Sequence, residues 1–536
     1  MMESKRKFRT VYLFLGILAL LGTPLKSVAQ SSAVVSLSET GAYHTISSLQ
    51  SRGHLLELTP DRLPYTIQEI ESALQKVDQT MLLNFEQDWV KELVAHLENI
   101  RPSLNSDPSS VFKNALHLQL GAGIEGTNTR RRDLYRPLNN DLYTWPFAHV
   151  GGTYSTGNWS IHTRVQFDYY YDKDPDAIDA VNRLYSRNEE SYLGYQNEMV
   201  SFYLGRMERQ WGLFEEPAGL LSTNARTFDQ IYFSLGNSKL SFSLLYGMLD
   251  GMNEDSTFTG ETRFDDVSFN RFVGMKRIDW RVTEALRLSF RESIVHSGKN
   301  ATPDLRYLMP GSFYFFSEAA APYDDQQNLL MGFSGYFQKK GWTLHSEFVL
   351  DDLIFNRKKR GLNEKSNFSH SFFVQYTLPK KPVEISFRTQ LATYQVYNTD
   401  YPETRYLYLG RGIAYQNTDF LFGELRTTFH GTNQWQGWSL TPYLGVLQQG
   451  EQKINQSFVP ERDSGITLPL TLTGTVEQTS RLGLFLRFHR AGILWIETDL
   501  GLNSTQDKDH NFGTSEFSFR GSLRIAIELD TVLRVR

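Results

Sequence analysis

From residue 115 to the C-terminus, apolar and polar positions alternate with a period of two. Leu116, Leu118 and Leu120 alternate with His117 and Gln119. Ile161, Thr163, Val165 and Phe167 face one way, and His162, Arg164, Gln166 and Asp168 the other. Leu286, Leu288 and Phe290 alternate with Arg287, Ser289 and Arg291; Val383, Ile385 and Phe387 with Glu384, Ser386 and Arg388; Leu523, Ile525 and Ile527 with Arg524, Ala526 and Glu528. Successive side chains of a strand point to opposite faces, so each run is a strand with one apolar and one polar face. There are roughly 18 such segments of about 8–14 residues.

Many segments pair around short turns, at Asn237-Ser238, Lys340-Gly341, 379–382 and Ala491-Gly492. Longer polar loops separate the pairs, at 172–197, 251–266, 299–327, 398–410 and 450–475. Short turns at one end and long loops at the other are the pattern of a transmembrane β-barrel. A sheet survives in hydrocarbon only if it closes, because every backbone donor must be paired there. The expected fold is therefore all-β: an antiparallel barrel of about 18 strands over 115–536, its apolar face toward lipid and its charged face toward a wet lumen. Trp159, Trp280, Trp342, Trp438 and Trp495, with Tyr143, Tyr203 and Tyr336, stand near strand ends and suit interfacial girdles. A soluble sandwich would place the Trp residues in its core and would not explain the arginines recurring at inward positions. The last residues, 531–536, do not end in an aromatic, so either the final strand stops near Leu529 or its terminal signal differs.

Ahead of the alternation the period is 3.6. Residues 45–58 read as a short helix broken near Gly53. Ile67, Ile70, Leu74 and Val77 follow Thr66 at helical spacing, with Glu69 completing a capping box. Phe85, Trp89, Leu93 and Leu97 recur every four residues over 82–97, and Pro102 and Pro108 follow. Residues 30–114 are thus a small helical module, which by itself could be a soluble cap, a plug or a partner-docking unit. Before it, Lys5, Arg6, Lys7 and Arg9 precede an apolar core over 11–21 and the small residues Ser27-Val28-Ala29. That is a Sec signal peptide, 1–29, cleaved near Ala29. After Sec export and this cleavage, the expected barrel belongs in the outer membrane of a Gram-negative cell.

Composition sharpens this. Among 536 residues there are 36 Phe and 27 Tyr, yet mean hydropathy is −0.40, as expected when each strand has one apolar and one polar face. The absence of cysteine excludes disulfides, thiolate metal sites and a lipoprotein anchor. A net charge of −5 without a basic run gives no sign of nucleic acid.

Motifs that mimic chemistry fail on context. Gly121, Gly123 and Gly126 fit G-x-G-x-x-G but lie in a strand with no helix following. Asp172, Asp174 and Asp176 resemble a calcium loop whose sixth and twelfth positions, Ala177 and Arg183, are wrong. His345, Glu347 and Asp351 share one face of a strand, beside Asp352; without a serine nucleophile motif they read as a charged lumen network. No cofactor or metal is expected.

The densest polar stretch is 203–236. It packs Arg206, Arg209, Trp211, Glu215, Glu216, Asn224 and Arg226 between two strands. Gly205-Arg206, Arg209, Trp211-Gly212 and the run from Leu220 to Arg226 resemble the signature region of the Wzi family of capsule-assembly outer-membrane proteins. Gly274-Met275-Lys276 and residues 346–352 are similar in kind and order. The resemblance implies an 18-stranded barrel with a periplasmic helical element, acting without an enzymatic step as a lectin that ties capsular polysaccharide to the outer membrane. The chain departs from the pattern at residues 213–217, where Glu215-Glu216-Pro217 replaces a glycine-rich turn. Arg forks grip carboxylates, so Arg206, Arg209 and Arg226 suit an acidic polymer, and Trp211 offers a face for a sugar ring. The same arginines could instead pair with Glu208, Glu215, Glu216 and Asp229 and brace the lumen. The candidate binding or lumen-lining set is Arg206, Arg209, Trp211, Asn224, Arg226, Glu347, Asp351 and Asp352. Expected partners are capsular or exopolysaccharide, outer-membrane lipid and periplasmic export components. The rival readings are an uptake channel for small polar or anionic solutes and an outer-membrane hydrolase.

Overall fold

The computed structural model describes residues 32–100, 114–168, 170, 174–177, 186–254, 257, 268–299, 301–315, 326–351, 367–399, 401–456, 469–490 and 493–535. The expected signal peptide, Asp352 and the turn at Ala491-Gly492 lie outside them.

The alternating segments form one closed antiparallel sheet of 18 strands. They are β1 (Asn114–Thr127), β2 (Tyr143–Thr156), β3 (Trp159–Asp168), β4 (Ser186–Gln196), β5 (Val200–Arg206) and β6 (Asp229–Gly236). Next come β7 (Leu240–Met248), β8 (Asn270–Arg281), β9 (Leu286–Gly298), β10 (Gln326–Lys339), β11 (Trp342–Asp351), β12 (Asn367–Thr377) and β13 (Val383–Ala392). A small ribbon, β14 (Leu407–Tyr408) and β15 (Arg411–Gly412), interrupts the order. The barrel resumes with β16 (Phe420–His430), β17 (Trp438–Gln449), β18 (Glu477–Arg490), β19 (Leu494–Gln506) and β20 (Ser515–Val535). β20 pairs with β19 through its first part and with β1 through its second, which closes the sheet. The last strand therefore continues past Leu529 to Val535.

The outward face is apolar: Leu118, Leu120, Ile161, Leu425, Leu444, Leu482, Leu500 and Ile527 are exposed. The inward face is buried and mixes polar with apolar residues: Arg271, Arg277, Arg291 and Arg481 are fully enclosed, as are Val273, Val295, Leu330 and Val349. Trp159, Trp280, Trp342 and Trp438 form an outward girdle at the short-turn end. Three of them pack at a tilt against a neighbouring strand's ring, Tyr195, Tyr376 and Phe488, at centroid distances of 4.9, 4.7 and 4.6 Å. Tyr203, Tyr336 and Trp495 do not belong to that girdle. They are buried on the lumen side, because one residue of register decides the face and nearness to a strand end does not.

The N-terminal segment carries α1 (Thr40–Ser51), α2 (Ile67–Leu74) and α3 (Asn84–Ile100). α1 starts five residues earlier than the apolar spacing suggests and stops before Gly53, whose φ of +90° ends the helix. Thr66 and Glu69 form the capping box: each side chain binds the other's backbone N–H, at 3.2 and 2.8 Å. Tyr43, Ile46, Leu49, Ile70, Trp89, Leu93 and Leu97 make the module's core. The module seals the short-turn end. Arg52 donates to the Lys381 carbonyl (2.8 Å), Gln338 to the Ser51 carbonyl (3.0 Å), and Arg281 pairs with Glu57 (3.0 Å).

Candidate functional site

The connection between β5 and β6, residues 207–228, turns inward and descends the lumen. Its mixed composition suits that path: Trp211, Leu220 and Leu221 share a buried apolar cluster with the inward Val273, Val295, Leu330 and Val349, and its polar groups meet inward charges. Gln210 exchanges two backbone hydrogen bonds with Leu63 of the N-terminal module, at 2.8 and 3.1 Å. Phe214 stacks on Tyr43 at 5.0 Å between centroids. The plug from one end and the module from the other therefore meet inside the barrel.

Arg291 of β9 is the joint between them. Its guanidinium donates to the Trp211 carbonyl (2.6 Å), to the Glu347 carboxylate of β11 (2.6 Å) and to Asp61 of the module. Asp61 also accepts from Arg277 of β8 (2.6 Å) and from the Ser334 hydroxyl (2.8 Å). Burial opposes charge on Asp61, but Arg277 and Arg291 outweigh it and hold its carboxyl well below the usual range. The second carboxylate oxygen of Glu347 accepts the Gly219 amide (2.7 Å), which fixes the returning arm of the plug.

The departure from the family pattern at 215–217 now has a physical account. Glu215 sits at φ +61° and meets both His44 and Arg487 at 2.9 Å. Although burial opposes it, Arg487 and then His44 hold the Glu215 carboxyl low, while burial and Arg487 lower His44. Glu216 takes Arg388 at 3.0 Å, and Arg388 also reaches Glu424 at 2.8 Å. These acids anchor the plug's tip. Glu497 comes close to His44 and Glu215. Arg487 already bridges both carboxylates, at 2.9 and 3.2 Å, and supplies the cation that a metal would bring.

A second loop, 393–419, lies over the plug. Tyr397 and Tyr406 donate their hydroxyls to the Gly219 and Leu220 carbonyls (2.7 and 2.8 Å), and Ser222 to the Ala414 carbonyl (2.6 Å). Arg271 holds this loop through the carbonyls of Glu403, Arg405 and Leu407, at 2.6–3.0 Å.

The candidate residues divide accordingly. Trp211 is 0% exposed, so its ring offers no free face to a sugar. Glu347 and Asp351 are buried ligands of the plug and its cover, the latter through the Tyr397 amide (2.7 Å). Arg209 lies buried over the Tyr232 ring (3.6 Å) and bonds Gln230 (3.1 Å). Arg206 forms a fork with Asp229 (3.1 and 3.0 Å) at the rim. Asn224 binds Gly412 and Gln416 (2.8 and 2.9 Å), and both it and Arg226 are half-buried. His345 lies 3.6 Å from Asp61, within the charged network. Of the calcium-like aspartates, Asp174 pairs with Arg411 (2.6 Å) and Asp176 with Arg131 (3.0 Å), and Asp172 lies outside the described residues. Sequence reasoning missed Asp61, which sits in what reads as a plain turn. It read Arg291 and Arg388 as polar-face residues without seeing what they hold.

Among the described residues, two cavities lie beside the plug, one against Gly212, Pro217, Glu347 and Arg388, the other against Met207, Arg209, Ala225 and Arg226. Each has room for about one water molecule. A sugar ring needs far more.

Residues 144–353 match the family model of capsule assembly protein Wzi. Over this span the chain is similar to the Wzi family. Among solved structures, Wzi from Escherichia coli superposes with a TM-score of 0.60 at 11% identity, over 93% of this chain and 99% of the other. That protein is described as an outer-membrane protein involved in group 1 capsule assembly and a carbohydrate-binding β-barrel. Acinetobacter baumannii OccAB2 superposes with a TM-score of 0.45 at 8% identity, over 78% and 98% of the two chains. Pseudomonas aeruginosa OccK11 does so at 0.41 and 12%, over 78% and 96%. A comparison with curated proteins gave no match. The likeness to the E. coli barrel shows the fold, an 18-strand barrel, and the family-model match bears out the Wzi resemblance read from residues 203–236.

Proposed function

We propose that this chain is a non-enzymatic outer-membrane protein that binds capsular or exopolysaccharide at the cell surface and attaches or assembles it there. After Sec export and cleavage near Ala29, the helical module faces the periplasm and the long loops face outward. The observation that carries this reading is the filled lumen. Among the described residues, a plug, its covering loop and the helical module occupy the barrel, and the two cavities beside the plug admit about one water each. An uptake channel would need a continuous wet path. The family region and the carbohydrate-binding description of the E. coli barrel point the same way. The polymer then meets the long-loop rim, where Arg206, Asn224 and Arg226 retain exposure, while Arg209, Trp211, Glu347 and Asp351 hold the plug beneath it.

The test uses purified full-length protein. It should bind the polysaccharide of its own cell and pass little current in planar bilayers, and cells lacking it should shed polymer into the medium. Steady conductance with no polymer binding would instead establish a solute channel.

A further inference from the structure

On most of the barrel the outward positions are exposed, as on β17, where Leu440, Leu444 and Val446 alternate with buried residues. On the long-loop halves of β8 and β9 this fails. Phe272, Lys276, Glu292, Ile294 and His296 are buried, yet register places them on the outer wall. Lys276 lies opposite Glu292, whereas the adjacent pair Met275 and Ser293 faces the lumen, where the Ser293 hydroxyl meets that of Tyr406 at 2.7 Å.

The covering segment is 301–315, which follows β9 and runs down the outside of the barrel. Its Tyr314 amide donates to Glu292 (3.0 Å), and the Lys276 ammonium donates to the Ser312 carbonyl and lies 4.0 Å from the Tyr314 ring centre. Tyr314 packs on Gly274, where a Cβ would come within 2.7 Å of its hydroxyl. Phe313 meets the outward ring of Phe290 at 5.8 Å, and Asn270 bonds the Ala301 carbonyl at 3.0 Å.

Depth decides what lies beyond. Lys276 is four residues along β8 from the girdle residue Trp280. That is about 13 Å along the strand and about 9 Å along the barrel axis at a tilt near 45°, inside an apolar band about 25 Å tall. A bare lysine and glutamate would face hydrocarbon there. The outer surface of the segment is instead apolar: Leu305, Met309, Phe313 and Phe315 are each exposed.

We propose that residues 301–315 form a flap embedded in the bilayer, with lipid acyl chains as its partner, sealing the polar Lys276–Glu292 patch on the barrel's outer wall from hydrocarbon. The flap restores a continuous apolar belt across β7 to β10.

The chain lacks cysteine, so one introduced thiol gives a unique label. The full-length variants Met309→Cys and Phe313→Cys, with Leu305→Cys as a further position, are labelled with an environment-sensitive fluorophore. They are reconstituted in phosphatidylcholine vesicles containing lipid brominated on its acyl chains. Leu484→Cys on the bare outer wall and Met81→Cys on the helical module serve as lipid and water references, and heat-modifiable migration checks folding. Flap labels should be quenched as strongly as Leu484→Cys and several-fold more than Met81→Cys. Quenching like that of Met81→Cys, with ready quenching by aqueous iodide, would place the flap in water and overturn the proposal. Shielding from both quenchers that is relieved by excess lipid would show a second copy on this face, and would overturn it equally.

Discussion

Arg291 shows how one side chain joins three parts of the molecule. Its donors reach the plug at Trp211, the wall at Glu347 and the module at Asp61. Removing one partner of a buried charge network leaves uncompensated charge and costs about 3–5 kcal/mol. Arg291→Met should therefore shift the denaturant midpoint, followed by heat-modifiable migration, by an amount of that order. Exchanging the surrounding acids as well should recover part of the loss. His96 gives the pH-dependent counterpart. Burial opposes its charge, but Glu39 at 2.5 Å outweighs this and raises its pKa. A raised histidine pKa adds stability that is fully present below about 6.5 and is lost as pH rises through the folded-state value. His96→Gln should thus destabilise the chain more at pH 5.5 than at pH 9, as read from thermal unfolding at the two pH values.

At the scale of elements, alternation told faces apart but not what covers them. Each barrel strand was legible because a two-residue period needs no knowledge of the partner. The capping box at Thr66 was legible for the same reason, being purely local; Thr66→Ala should cost about 1 kcal/mol, measurable as a lower unfolding midpoint. The inward fold of 207–228 was legible only as one of two alternatives, lining the lumen or binding polymer, and the outward fold of 301–315 was not legible. Both read as polar or mixed loops, and only long-range partners decide their direction: Leu63 and Arg291 for the plug, Gly274 and Glu292 for the flap. The misassigned girdle residues Tyr203, Tyr336 and Trp495 have the same origin, since girdle and lumen positions near a turn differ by one residue of register. The plug's tip rests on Glu215 and Glu216. Changing both to Ala removes its contacts with His44, Arg487 and Arg388, so the double variant should show brief current openings in planar bilayers where the parent is quiet.

For the whole molecule, closure of the sheet and filling of its lumen divide the labour between rim and interior, and the division can be measured. The rim holds Arg206 and Arg226 with partial exposure; the interior holds Trp211 with none. If polymer meets the rim, Arg206→Ala and Arg226→Ala weaken binding to the cell's own polysaccharide by about tenfold or less each, the scale of one charge-assisted contact, with migration and unfolding midpoint unchanged. Trp211→Ala empties a packed site and costs about 3–5 kcal/mol of stability, while binding per folded molecule stays the same. The measurement is a binding isotherm normalised to the heat-modifiable fraction. The opposite pattern, neutral rim variants and lost binding per folded molecule in Trp211→Ala, would require the plug to open and the sugar to enter the lumen. The interlocked Arg291, Glu347 and Asp61 contacts would then have to break on binding, and Arg291→Met should make binding tighter instead of leaving it unchanged.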